Sequence, residues 1–204
     1  MHGGARRGIG SVAIGLSALL ATGCGVMPSP EAELEDALAR SVDGAQDTFW
    51  PYRVQIVSDP ETAISRIGFV SDVRPAYVDP AFVPAGGLYK LLGVSASADG
   101  TSLILATSAG VETGGGLFYD QRSAAVCFEL RFPAGERKIH TLASDCTDGA
   151  GHGLADVADV IDYSRYGEPQ SIDGLDVRRT VTAEDYPSLP CQCASGGTCD
   201  CPGG

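Results

Sequence analysis

Between Leu88 and Ser144, four segments alternate apolar and polar residues and are separated by strong turn formers; nothing else in the chain constrains its fold as much. Period-two alternation buries one face of a strand and leaves the other in water. Leu88 to Ser97 and Ser102 to Ala109 meet at Ala98-Asp99-Gly100-Thr101, where Asp-Gly supplies the positive φ of a tight hairpin. Gly114-Gly115-Gly116 marks the next turn. Arg122 to Phe132 then places Val126, Phe128, Leu130 and Phe132 on one face, and Pro133-Ala134-Gly135-Glu136 turns the chain back into Lys138 to Ser144. Leu175, Val177, Arg179 and Val181 alternate in the same way and predict a last strand.

Helical signals flank this block. Glu31 to Val42 reads as a helix capped by Ser29, with Pro30 in its first turn and Glu31 and Glu33 where the helix dipole favours anions. Leu34, Ala37, Leu38, Ser41 and Val42 form its inner stripe, and Gly44 is placed to end it. Phe49-Trp50-Pro51-Tyr52 reads as an aromatic lid on the core. Tyr52, Val54 and Ile56 alternate and predict a strand, and a short strand is expected within Ile67 to Val73. Arg74 to Gly87 holds Pro75, Pro80 and Pro84 and reads as an extended surface loop. A second helix is expected from Leu154 to Tyr163, with Leu154, Val157, Ala158 and Ile161 on its apolar stripe. The expected fold is α+β: an antiparallel sheet with an N-terminal helix and a second helix late in the chain.

The first two dozen residues carry a different message. Arg6 and Arg7 precede an apolar run from Ile9 to Ala21, too short to span a bilayer, which is the layout of an export signal. The run closes with Leu20-Ala21-Thr22-Gly23-Cys24, small residues followed by a thiol that can carry a thioether-linked diacylglycerol. This segment resembles the lipobox of bacterial lipoproteins, with Ala21 where Leu is more usual. The resemblance implies a signal peptide over 1–23, lipidation at Cys24, and attachment to the extracytoplasmic face of the cell membrane. One acyl chain binds a membrane only marginally, at about 0.8 kcal/mol per buried CH₂, so stable anchoring takes two or three chains, palmitate among them. Residues 24–30 then form a lipidated tether, 31–189 a single domain, and 190–204 a Cys- and Gly-rich tail.

Charge narrows the partners. The chain carries a formal −12, and without Arg6 and Arg7 it keeps 12 basic and 26 acidic residues, a formal −14. Such a surface repels nucleic acid, so none is expected as a partner, and it repels anionic headgroups, leaving the lipid as the route to the membrane. An envelope protein is the partner class that remains. Lysine is confined to Lys90 and Lys138 while Ala and Gly abound, a composition that points to a high-GC, actinobacterial type of genome.

Cys24 aside, six cysteines remain, an even number in an oxidising compartment. Cys127 and Cys146 stand near opposite ends of the hairpin turned at Pro133 to Lys138, so a cross-strand disulfide is expected. Cys191, Cys193, Cys199 and Cys201 form two C-x-C units around a five-residue turn. They suit nested disulfides or an unstructured tail, and alternatively a thiolate site for Zn²⁺ or Cu⁺. His152, Asp156 and Asp159 fall at helical spacing and offer a second metal set, against which stands their reading as solvated residues of a helix start.

Catalytic signatures are missing. G-x-S-x-G, H-E-x-x-H, S-x-x-K, phosphate-binding and dinucleotide patterns are absent, and His140 and His152 are the only histidines after Cys24. The expectation is a non-enzymatic, membrane-anchored binding or envelope-assembly module with no catalytic residues and no resident cofactor. A metal handler using the tail thiols and an unrecognised hydrolase are the alternatives.

Overall fold

A computed structural model describes residues 29–74, 87–115, 118–146, 163–167 and 169–186. Helix α1 (Pro30–Phe49) starts as its sequence predicts: the Ala32 amide donates to Ser29 Oγ at 3.2 Å, and Pro30 opens the first turn, so the helix takes in the last residue of the expected tether. It does not end at Gly44. The helix runs on to Phe49 because Ala45, Gln46 and Phe49 continue the buried stripe begun by Leu38 and Val42. Gly44 serves close packing instead: a Cβ there would lie 3.3 Å from the Tyr89 hydroxyl, which donates to the Ser41 carbonyl.

The expected strand at Tyr52 to Ile56 is overturned. Trp50–Tyr52 is a 3₁₀ turn leading into helix α2 (Arg53–Ser58), and α3 (Pro60–Ser65) follows, capped by Asp59 accepting from the Thr62 amide at 3.2 Å. Only Ile56 of the alternating trio is fully buried, while Val54 is 67% exposed. Three apolar residues at period two are too few to separate strand from helix, and here a single inward residue satisfies the core.

Among the described residues the sheet has seven strands: β1 (Val70–Asp72), β2 (Tyr89–Ser97), β3 (Gly100–Gly115), β4 (Phe118–Pro133), β5 (Lys138–Ala143), β6 (Gln170–Ser171) and β7 (Thr180–Thr182). Their order is β1-β2-β3-β4-β5-β7, with β6 beside β4. The β2-β3-β4-β5-β7 run is antiparallel as expected, but β1 pairs with β2 in parallel, and β6 with β4 in parallel. The sheet is therefore mixed. The two parallel strands are only three and two residues long, below the length at which periodicity carries orientation.

Two sequence expectations are revised in extent. The β3–β4 hairpin pairs without a break from Gly100↔Pro133 to Gly115↔Phe118, well past the predicted Ala109 and Arg122. The strand expected over Leu175 to Val181 is restricted to β7, because Ile172–Gly174 forms a 3₁₀ turn before it. The helix expected from Leu154 to Tyr163 lies outside the described residues except for Tyr163, which opens α4 (Tyr163–Tyr166), and most of the loop expected after Arg74 lies outside them as well.

The main core lies between α1, α2, α3 and one face of the sheet. Leu103, Leu105, Val126, Phe128, Leu130, Phe132, Ile139 and Val181 point into it from alternate strand positions. Phe49 closes its lower end, with ring centroids 6.0 Å from Phe69, 6.1 Å from Tyr89 and 6.4 Å from Phe132. Each such side chain contributes about 1.5–3 kcal/mol by leaving water. Gln46, fully buried, donates from Nε2 to Thr141 Oγ1 and, at 2.6 Å, to the Arg178 carbonyl, tying α1 to β5 and to the approach to β7.

Candidate functional site

Alternation also decides what the other face of the sheet presents. From β3 it takes Ser102, Ile104, Ala106, Ser108, Gly110 and Glu112; from β4 it takes Gln121, Ser123, Ala125, Cys127, Glu129 and Arg131. Its centre is a small apolar patch. Val73, Leu92, Ala106, Ala125, Cys127 and Cys146 are buried there, with Ile104 and Tyr166 packed on the edge. Cys127 and Cys146 are bonded to each other with Cα atoms 5.3 Å apart, as the hairpin geometry predicts. The β4–β5 ladder ends at Phe128↔Ala143, so Cys127 is next to the last β4 residue of that ladder and Cys146 lies three residues beyond the last of β5.

Two polar hollows flank this patch. The first, about 280 Å³, lies between β3, β4 and α4, with Ser108, Glu112, Gln121, Ser123, Arg165 and Tyr166 among its walls. The Arg165 guanidinium sits 5.1 Å from the centre of the Tyr166 ring, so cation and aromatic face form one wall. The second, about 290 Å³, opens at the β2–β3 turn beside Ser95, Ser97, Asp99, Ser102 and Arg131. Its chemistry is organised by Glu129, which accepts from Ser102 Oγ at 2.7 Å and from Arg131 Nε at 3.0 Å. Their linings offer hydroxyl, carboxylate, amide and guanidinium groups.

His140, on β5, pairs in register with Arg131, and Ser102 pairs with Arg131 from the other side. Ser102 and His140 are thus two strands apart, about 9–10 Å. That separation exceeds the hydrogen-bond reach a nucleophile and its base require, and the Ser102 hydroxyl already donates to Glu129. His140 Nδ1 instead lies 2.9 Å from Thr180 Oγ1 on β7. Partial burial, and then the Lys138 charge, pull its pKa below the ordinary histidine value.

Cys24, the tail cysteines Cys191, Cys193, Cys199 and Cys201, and the trio His152, Asp156 and Asp159 all lie outside the described residues. Among the described residues no group of three or more His, Cys, Asp or Glu side chains is placed to hold a metal ion, and no helix is long and apolar enough to cross a membrane.

One constellation has no sequence forecast. Arg178, just before β7, donates from its amide to Asp43 Oδ1 at 2.9 Å and from Nη2 to Asp47 Oδ1 at 2.8 Å. Asp47 also accepts from the Tyr186 hydroxyl, and the Tyr186 ring stacks on Trp50. Burial opposes the Arg178 charge, but Asp47 and Asp43 outweigh it and raise its pKa. The available signal was a pair of aspartates four apart on α1, which identifies a helix face without naming what meets it. The chain matches no protein-family model, no curated protein and no solved structure.

Proposed function

We propose that this chain is a lipid-anchored extracytoplasmic module that binds rather than catalyses, held at the cell membrane through acyl chains on Cys24 and engaging a partner or ligand with the outer face of its sheet. The observation that carries the reading is the asymmetry of the sheet. Its inner face is sealed by α1, α2 and α3, while its outer face surrounds a small apolar patch with two open polar hollows. A concave surface with a few converging polar groups is the usual form of a small-ligand or docking site. The lipobox-like segment, with Cys24 six residues before the start of α1, supplies the anchor.

Two measurements test the two halves. Fatty-acid labelling is expected to mark the parent protein, whereas Cys24→Ala is expected to take no label and either leave the membrane fraction or accumulate as precursor. Equal membrane retention of both forms with no label in the parent removes the anchor. For the binding half, a photo-crosslinking residue at Ser108, on the outer face, is expected to give discrete adducts in the native envelope. The same residue at Val54, exposed on the helical side, is expected to give none. Equal adducts at both positions, or none at Ser108, remove the binding reading.

A further inference from the structure

The two hollows differ in how far their polar side chains are tied up with one another. At the β2–β3 turn, Glu129 takes up both Ser102 and Arg131. In the hollow between β3, β4 and α4, the side chains of Ser108, Glu112, Gln121 and Ser123 make no hydrogen bond or ion pair among the described residues. Arg165 meets the face of Tyr166 there, which holds the guanidinium beside the hollow and leaves its N–H groups unused. A carboxylate and a guanidinium thus line one hollow without pairing.

Their placement along the hairpin keeps them apart. On the outer face Ser108 stands opposite Ala125, Gly110 opposite Ser123, and Glu112 opposite Gln121. Tyr166 packs on the apolar patch that holds Ala106 and Ala125, so Arg165 stands at the Ser108 end. Glu112 is four residues further along β3, about 13 Å. One end of the hollow is therefore cationic and the other anionic, with Ser123 between them and Gln121 beside Glu112. A Cβ at Gly110 would lie 3.2 Å from Ser123 Oγ, so the glycine leaves that hydroxyl uncrowded.

We propose that this hollow binds a short zwitterionic peptide, its terminal carboxylate on Arg165, its terminal ammonium on Glu112, and its peptide bonds over Ser123 and Gln121. The inference deepens the binding reading above and rests on it. A guanidinium fork matches a carboxylate with two parallel hydrogen bonds, and a carboxylate accepts from an ammonium. The Ser123 hydroxyl and the Gln121 amide each donate and accept, as the N–H and C=O of a peptide bond require. Two or three extended residues span at most about 7–11 Å, and the two long side chains cover the rest of the separation. The volume of about 280 Å³ lies just under the range of roughly 300–1,000 Å³ usual for drug-sized ligands, in keeping with so small an occupant. A zwitterion has no net charge, so a chain of net −12 does not repel it.

The test uses the full-length protein in neutral detergent, and its probes are triglycine, N-acetyl-triglycine, triglycine amide and free glycine. Saturation-transfer NMR on the parent, which needs no variant, is expected to show triglycine binding roughly tenfold tighter than each of the other three. Arg165→Gln is expected to abolish the preference over the amide, Arg165→Lys to keep it, and Glu112→Gln to abolish the preference over the acetylated form. Arg165 and Glu112 are both exposed, and thermal melts check that the variants stay folded. Equal affinity for all four probes, no binding of triglycine, or preferences unchanged in the variants overturns the peptide assignment. Crosslinked adducts at Ser108 in the native envelope, together with no triglycine binding, overturn the ligand class and leave the binding reading intact. Absence of both overturns both.

Discussion

Tyr186 lies almost flat on Trp50, with ring centroids 4.4 Å apart and planes inclined by 21°. The Arg53 guanidinium also lies against Trp50, 4.2 Å from its ring centroid. Burial, and then the neighbouring Asp47 carboxylate, hold the Tyr186 phenol well above its ordinary pKa. The segment after β7 is thereby strapped across the end of α1. A chain ending at Leu189 keeps this strap and is expected to melt with the full-length protein. A chain ending at Ala183 loses the stack and is expected to lose about 2 kcal/mol, a fall in Tm of roughly 5 °C. Red-shifted Trp50 emission in the shorter chain checks that the loss arises at this contact.

The Cys127–Cys146 bond closes a loop with a sequence separation of 19. Replacing both cysteines by alanine is expected to cost about 3 kcal/mol on the chain-entropy account. Denaturant unfolding of the oxidised parent, the reduced parent and the double variant measures this, and peptide mapping without reduction should recover the 127–146 linkage. A double variant as stable as the oxidised parent would show the bond to be incidental to the fold.

Gly100 opens β3 with φ at 138°, and a Cβ there would collide with the Phe132 carbonyl oxygen across the hairpin. Gly100→Ala is expected to destabilise by about 1–3 kcal/mol, through both the backbone conformation and the collision. Gly135→Ala offers the comparison: its φ is 73° but its Cβ would meet nothing within 4 Å, so it carries the conformational cost alone. Thermal melts should rank parent, Gly135→Ala and Gly100→Ala in falling order.

His140 has a pKa below its unfolded value because partial burial, and then Lys138, disfavour the imidazolium. Between the folded value and the unfolded value of about 6.5 the unfolded chain binds the extra proton, so stability rises with pH across that window. It is complete above the unfolded value and falls as the pH drops towards the folded one. His140→Gln is expected to flatten the stability profile below about pH 6.5, leaving stability at pH 8 little changed. Urea midpoints at pH 5, 6, 7 and 8 for both proteins measure the difference.

Much of the meander was legible because its signals are short. Asp99-Gly100 and Pro133-Ala134-Gly135 define their turns by backbone preference, and the strands between them alternate for long enough to show a face. The start of α1 was legible for the same reason, since Ser29 and Pro30 act on the first turn alone. Its end was not: Gly44 looks like a stop signal until Tyr89 is brought against it from a strand. Tyr52 to Ile56 was misread because local alternation competed with the burial of Ile56 and lost. Of the candidate surface, the pairing of Cys127 with Cys146 was readable, whereas the two hollows were not, since each joins residues from separate elements.

The sequence by itself determined the strand meander, its turns, the first turn of α1 and the cross-hairpin disulfide, all of which depend on residues that are neighbours in the chain or symmetric about one turn. Tertiary structure alone decided that the sheet is mixed, that α1 runs through Gly44, and that Arg178 and Tyr186 close on Asp43, Asp47 and Trp50. These features arise from contacts between residues some 20 to 140 positions apart, whose free energy appears only when apolar faces leave water together, and no local periodicity encodes which faces those will be.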